Sequence, residues 1–253
     1  MTDALARLAR IVARVARTGV CALDGAGRIR LLRRHGTLDA PAQARALQRL
    51  AQEVLEVHGI RVEVLGALPR PALLVANHVS WLDPLVIMAN APCLPIAKSE
   101  VAAWPVIGRI AAASGVQFVE RGCAMSGARL VRTIARTLSS GASVLNFPEG
   151  TTSEGRSILP FKPGAFRAAR AASAPVVPVV ISYDCDELAW TGDASFLPHY
   201  LALLGRESCT VRLRFGEALR PTPSVSDLEL SRRAHLAVAA VLREVRDGAA
   251  VGT

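Results

Sequence analysis

Short apolar runs recur along the chain at Val62–Leu65, Ala72–Ala76, Leu94–Ala97, Val116–Val119, Val144–Phe147 and Val176–Ile181. Runs of this length bounded by Gly, Pro and polar residues read as strands, and those without polar breaks as strands buried on both faces. Thr210–Phe215 alternates apolar and polar positions and reads as a late strand. Between the runs, helical periodicity covers Pro41–Val57, a segment after Asp83, one around Glu100–Ala111, and Ser126–Leu138 with Ser126 as N-cap and Gly141 beyond the end. A last helix opens on the capping box Ser226-Asp227-Leu228-Glu229 and runs to about Val245. From Arg61 onward the alternation predicts an α/β fold: a mixed, largely parallel sheet flanked by helices.

The first residues carry a different pattern. Arg7, Arg10, Arg14 and Arg17 share one helical face, and Leu5, Leu8, Val12 and Val15 the opposite one. Such a helix either lies in an anionic bilayer surface or packs on the domain with its arginines in solvent. Near a bilayer each arginine would add ~1 kcal/mol. Asp24-Gly25 and Gly27 read as a turn, after which Pro41–Val57 completes a hairpin-like pair of helices. The expected division is an N-terminal amphipathic, membrane-associating segment, residues 1–58, and a domain over 59–253.

Length and charge narrow the field. At 253 residues the chain holds one sizeable core, and its 30 basic against 21 acidic residues leave a net charge of +9. That excess favours an anionic partner. Aromatic residues are 4% of the chain and no nucleic-acid recognition motif occurs, so nucleic acid is not expected. The five cysteines are scattered without Cys-x-x-Cys spacing, which predicts neither a disulfide framework nor a metal site, and suits a reducing compartment. No apolar stretch approaches the ~18–20 residues of a spanning helix. Arginines interrupt every would-be signal core at the start.

The candidate chemistry begins at the end of the Ala72–Ala76 run. In Asn77-His78-Val79-Ser80-Trp81-Leu82-Asp83, four residues separate a histidine from an aspartate. A neutral imidazole can take a proton at pH 7, and a carboxylate on its other nitrogen would fix the tautomer and steady the imidazolium. Taken singly, His78 also reads as a core histidine, and Asp83-Pro84 as a helix start. Ser80 lies outside any G-x-S-x-G elbow and reads as a loop or capping residue. His35, His58, His199 and His235 have no partner spacing.

Three further blocks follow in order: Phe118-Val119-Glu120-Arg121-Gly122, Phe147-Pro148-Glu149-Gly150-Thr151 and Val177-Pro178-Val179-Val180-Ile181. With the His-x₄-Asp block, the set resembles the glycerolipid acyltransferase family, the bacterial 1-acylglycerol-3-phosphate and related lysolipid acyltransferases, over roughly residues 60–185. The resemblance implies transfer of an acyl group from acyl-CoA or acyl-ACP, as cosubstrate, to a lysolipid hydroxyl, with no cofactor. His78 would act as base and Asp83 would orient it. Arg121, Glu149, Gly150 and Thr151 would bind the acceptor. Backbone amides near the Glu149–Thr151 turn are candidate oxyanion donors. Lys98 and Arg109 suit either a nucleotide phosphate or solvent.

The common third block continues Glu-Gly-Thr-Arg-Ser, whereas Thr152 stands here in place of that arginine. Either a phosphate clamp has lost one cation there, or Arg156 or Lys162 supplies it instead. Glu-Gly-Thr-Thr-Ser is similar to members acting on lyso-ornithine lipid, as is the segment around Ala189–Asp193 and Phe196–His199. A 1-acylglycerol-3-phosphate-type acceptor in phospholipid synthesis is the first expectation and lyso-ornithine lipid the alternative. A basic membrane-surface binding module is the non-enzymatic one. The expected place is the cytoplasmic face of the inner membrane, peripherally attached.

Overall fold

The computed structural model describes residues 2–67, 71–99, 116–119, 124–190 and 195–250. Two helices, α1 (Thr2–Arg34) and α2 (Ala40–His58), lead into β1 (Ile60–Leu65), β2 (Leu73–Ala76), α3 (Asp83–Asn90), β3 (Cys93–Lys98) and β4 (Gln117–Val119). Then come α4 (Ala124–Ser139), β5 (Ser143–Asn146), α5 (Gly164–Ala171), β6 (Val176–Tyr183), α6 (Phe196–Gly205), β7 (Cys209–Phe215) and α7 (Asp227–Ala250). The expected helix around Glu100–Ala111 falls outside the described residues.

The strands form one sheet in the order β1-β7-β6-β2-β5-β3-β4. Among the described strands only β6 and β7 pair antiparallel, and every other neighbouring pair is parallel. The mixed, largely parallel sheet is therefore as the alternation predicts. Leu73, Leu74, Val75 and Ala76 of the central β2 are fully buried, because helices cover both faces. Leu74 and Ala76 pack with α2 and α3, while Leu73 and Val75 pack with α4, α5 and α7. Leu47, Ala51 and Leu55 of α2 thus share a core with the sheet. The chain leaves α2 through Gly59 in the left-handed conformation.

Two local expectations are corrected. The turn at Asp24–Gly27 does not form, since α1 continues unbroken to Arg34. Gly25 serves helix packing instead: a Cβ there would lie 3.1 Å from Leu50 Cδ1, so the glycine lets α1 sit close on α2. The chain turns at residues 35–39, where the Asp39 carboxylate caps α2 by accepting from Ala42 N at 2.7 Å. Helix α4 begins at Ala124, so Ser126 lies inside it rather than at its cap.

Two of the four arginines on the α1 face are not left in solvent. Arg10 and Arg14 turn inward onto the C-terminus of α6. Arg10 donates to Gly205 O at 2.8 Å, and Arg14 donates to Leu204 O, Arg206 O and Glu207 O at 3.1, 2.5 and 2.9 Å. Carbonyls at a helix end lack intrahelical partners and carry negative partial charge, so guanidinium groups suit them. Docking that face leaves the aliphatic one outside: Leu5, Leu8, Val12, Val15, Val20 and Leu23 are 48–78% exposed. Among the described residues no helix is long and apolar enough to cross a membrane.

Candidate active site

Strands β5, β2 and β6 lie side by side and parallel, so their carboxyl ends open on the same edge of the sheet. Crevices at such ends are where open α/β sheets hold their ligands. Beyond β2 the chain continues as Asn77-His78, beyond β5 as Phe147-Pro148-Glu149, and Tyr183 ends β6. Asn77 is fully buried and its amide mimics a strand residue: Nδ2 donates to Ile181 O at 3.0 Å and Oδ1 accepts from Ile181 N at 2.9 Å. The start of the loop is thereby fastened to β6.

His78 and Asp83 meet across this loop, with His78 Nδ1 2.8 Å from Asp83 Oδ2. The same oxygen accepts from Val79 N at 2.6 Å and Ser80 N at 2.9 Å. The other, Oδ1, accepts from Tyr183 Oη at 2.5 Å. Asp83 is fully buried, and these donors satisfy both of its oxygens, which is the condition for holding a charge there. Asp83 does not cap α3; that position falls to Leu82, without a side-chain bond. Burial, with the Asp83 charge, raises the Tyr183 phenol well above its ordinary pKa, so it stays a donor. Since Nδ1 donates to the carboxylate, the neutral His78 ring keeps its lone pair on Nε2. No hydrogen bond to Nε2 is made among the described residues. The ring stacks on Phe147, centroids 4.0 Å apart.

Glu149 is nearly buried, at 4% exposure. Its Oε1 accepts from His78 N and its Oε2 from Leu159 N, both at 2.9 Å. Burial raises its pKa, while the two amides pull the other way. Ser153 N adds a bond to His78 O at 2.8 Å, so the third block grips the backbone of His78 from both sides. Gly150 adopts φ +81°, a conformation rarely open to side chains, and a Cβ there would fall 2.6 Å from Lys162 Nζ. Lys162 thus lies over the Glu149–Thr151 turn. Gly150 N bonds to Phe147 O, whereas the amides of Thr151 and Thr152 are unbonded among the described residues.

Trp81 ties the loop to α6. Its Nε1 donates to His199 Nδ1 at 3.0 Å, and its ring meets Phe196 and Tyr200 edge-on, with centroids 5.2 and 5.5 Å away. The segment around Phe196–His199 is therefore a helix seated on the loop that carries His78. Leu197 and Leu201 on the same helix are exposed.

A family model described as "Acyltransferase" matches residues 59–182. A lyso-ornithine lipid O-acyltransferase of Brucella abortus is 34% identical over 75% of this chain and 79% of its own length. One of Pseudomonas aeruginosa is 38% identical over 70% of each. The chain belongs to the acyltransferase family. A third lyso-ornithine lipid O-acyltransferase, from Rhizobium meliloti, is 38% identical over 69% of this chain, and the match spans 66% of that relative's length. A 1-acyl-sn-glycerol-3-phosphate acyltransferase of Neisseria meningitidis is 37% identical over 67% of this chain and 66% of its own. In fold, this acyltransferase is similar to the crystal structure of the 1-acyl-sn-glycerophosphate acyltransferase PlsC from Thermotoga maritima. The TM-score is 0.67 at 21% identity, over 96% of this chain and 98% of that one.

Of the sequence-predicted site residues, the structure brings His78, Asp83, Glu149, Gly150 and Thr151 to one edge of the sheet. Arg121, Arg109 and the Lys98 side chain lie outside what is described. Sequence reasoning missed Tyr183. Its position just past the fourth block was the available signal, because a polar residue ending a buried strand next to β2 faces the same crevice. It also missed the Trp81–His199 bond, for which no spacing gives a cue.

Proposed function

We propose that this acyltransferase moves a fatty acyl group from an acyl thioester to the hydroxyl of a lysolipid, with His78 as general base. The observation that carries this reading is the 2.8 Å contact of His78 Nδ1 with the buried Asp83 carboxylate, which leaves Nε2 as the basic nitrogen. An alcohol is a weak nucleophile at neutral pH, and removing its proton as it attacks contributes about 10²–10⁴-fold. Asp83, Tyr183 and Glu149 act as positioning residues: the first two hold the imidazole's tautomer, and Glu149 holds its backbone. As the thioester carbonyl becomes an oxyanion it needs donors, and the unbonded amides of Thr151 and Thr152 stand on the turn fastened to His78. The thiolate of CoA or of the carrier protein leaves and takes up the proton that His78 removed.

Lyso-ornithine lipid is the acceptor we favour. Thr152 in place of an arginine and the relatives of that name support it. A second reading, a 1-acylglycerol-3-phosphate-type acceptor, is favoured by Lys162 over Gly150, a cation placed to meet a phosphate. The aliphatic face of α1, with Leu197 and Leu201 of α6, is proposed to rest on the cytoplasmic face of the inner membrane, where both lipids are found.

The test is acyl transfer by the purified protein and by His78→Ala, with labelled acyl-CoA and acyl-ACP offered to each acceptor separately. Product on lyso-ornithine lipid, lost in folded His78→Ala, is expected. Full activity in folded His78→Ala removes the histidine from the base role. Product on lysophosphatidic acid alone, weakened by Lys162→Ala, selects the second reading.

A further inference from the structure

The antiparallel ladder of β6 with β7 ends by joining Ser182 to Arg212 and Tyr183 to Val211. Just past it come Asp184 and Cys185 on one strand end, facing Thr210 and Cys209 at the start of the other. Asp184 N donates to Thr210 O at 3.1 Å, and Thr210 N returns to Asp184 Oδ2 at 2.9 Å. Both strand ends are therefore pinned where the two thiols and the carboxylate converge. The donor atoms of Asp184, Cys185 and Cys209 all lie within 4.8 Å of one another.

We propose that Asp184, Cys185 and Cys209 form a binding site for a thiophilic divalent cation, zinc(II) in kind. The donor set decides the class: two thiolates and one carboxylate suit zinc or cadmium, whereas calcium needs six to eight oxygens. The protein atoms supply three ligands and leave a fourth, tetrahedral position for water. Burial runs from Asp184, exposed, through Cys185, half-buried, to Cys209, buried, so the ion enters from the solvent side and is held from below.

Cys209 Sγ donates to Asp184 Oδ1 at 3.3 Å, and the Cys185 sulfur lies within 4.8 Å of both groups. Binding exchanges the two thiol protons for one cation: M²⁺ enters, two M–S bonds form, and two protons leave to solvent. The filled site of two thiolates, one carboxylate and a dication carries one negative charge. Arg206, whose guanidinium acts electrostatically on Cys185 and Asp184 and also pairs with Glu187, lies beside it. The pairing of Cys185 with Cys209 is invisible to a search for close cysteine spacing because the sheet creates it. The ion would clasp the ends of β6 and β7 next to Tyr183, and the site is independent of the acyl-transfer reading.

The experiment titrates the reduced, chelator-treated full-length protein with Co²⁺ and with Cd²⁺. We expect one ion per chain, a thiolate-to-metal charge-transfer band, and release of about two protons per ion. Cys185→Ser and Cys209→Ser should each weaken binding beyond the roughly 10–100-fold that loss of an outer-shell partner costs. Cys21→Ser, Cys93→Ser and Cys123→Ser should leave it unchanged. Absence of the band in folded wild-type protein overturns the proposal, as does a band that survives in folded Cys185→Ser. Cys185 is only half-buried, so that variant decides the matter even if Cys209→Ser does not fold.

Discussion

Tyr183 donates its hydroxyl to Asp83 Oδ1 at 2.5 Å, joining two residues 100 positions apart on neighbouring elements of the fold. The carboxylate is thereby held by a strand as well as by its own loop. Tyr183→Phe removes that donor and leaves one buried oxygen unpaired, which costs about 1–3 kcal/mol. Because the hydroxyl acts through Asp83, the expected loss is in kcat, about 10-fold or more, with little change in KM. Steady-state kinetics of the folded variant checks this. An unchanged kcat would reduce Tyr183 to a packing residue.

Asp83→Asn probes the tautomer. An amide at this position must satisfy His78 Nδ1–H, Val79 N–H and Ser80 N–H, which all point at Oδ2. If its carbonyl takes the two backbone amides and the imidazole proton, the variant keeps the loop but loses the charge that steadies the imidazolium. If its NH₂ faces the ring, Nδ1 must become the acceptor and the proton moves to Nε2. The first outcome weakens the base and the second removes it, so a fall in kcat of up to about 10⁴ is expected with the fold retained. Circular dichroism and single-turnover acyl transfer measured on one preparation test both halves.

How far the site was legible in the chain follows from what each contact depends on. His78 and Asp83 lie within one loop, so local spacing exposed them, and the strand before them was plain from its unbroken apolar run. The order of the strands was not legible, because parallel neighbours are chosen by how crossover helices pack. Tyr183 therefore stayed hidden although its strand was recognised. The arginines of α1 were seen as a face, but periodicity does not say which face meets the domain. Their partners are backbone carbonyls at the end of α6, a helix that the pattern did not separate from a loop. Glycine misled in one place: Gly25 and Gly27 suggested a turn, whereas Gly25 accommodates the close approach of Leu50.

Arg14 links α1 to α6 through three carbonyls, Leu204, Arg206 and Glu207. Arg14→Ala strips those acceptors of their donor, and part of the loss is restored by water because the contact is only partly buried. About 2 kcal/mol of destabilisation is expected, from charged hydrogen bonds worth about 1.5–3 kcal/mol each before that compensation. For a chain of this size it corresponds to a Tm lower by about 4–8 °C. Since Trp81 of the loop that carries His78 rests on α6, kcat should fall as well, and Arg14→Lys should recover less than half because an ammonium cannot span three carbonyls. Differential scanning fluorimetry and kinetics on both variants decide it.

The outward face of α1 predicts attachment to lipid. Leu8 and Val12 are 57% and 60% exposed, and packing does not account for them. The double variant Leu8→Asp/Val12→Asp should leave the Tm within about 1 °C, since surface changes cost little. Its sedimentation with vesicles of anionic phospholipid should fall severalfold, because apolar insertion is replaced by repulsion from the surface. Equal sedimentation of variant and parent would rule out this face as the docking surface.

His58 predicts how stability depends on pH. The ring is buried under α6, with Nδ1 2.6 Å from Val54 O and Nε2 3.2 Å from Tyr200 Oη. Burial, together with the positive charge of Arg14, holds its pKa below the ordinary histidine value, while the bond to Val54 pulls the other way. The folded protein therefore refuses a proton that the unfolded chain accepts. The stability this neutral ring allows is fully present above about pH 6.5, the unfolded value, and is lost as pH falls through the lower folded value. His199, also lowered by burial, adds in the same direction. Unfolding by urea at a series of pH values from about 7.5 down to 5 should show the midpoint dropping. His58→Gln keeps a donor for Val54 O and an acceptor for Tyr200 but does not titrate, so its curve should be flatter over that window. A parent and variant with parallel curves would place the pH dependence elsewhere.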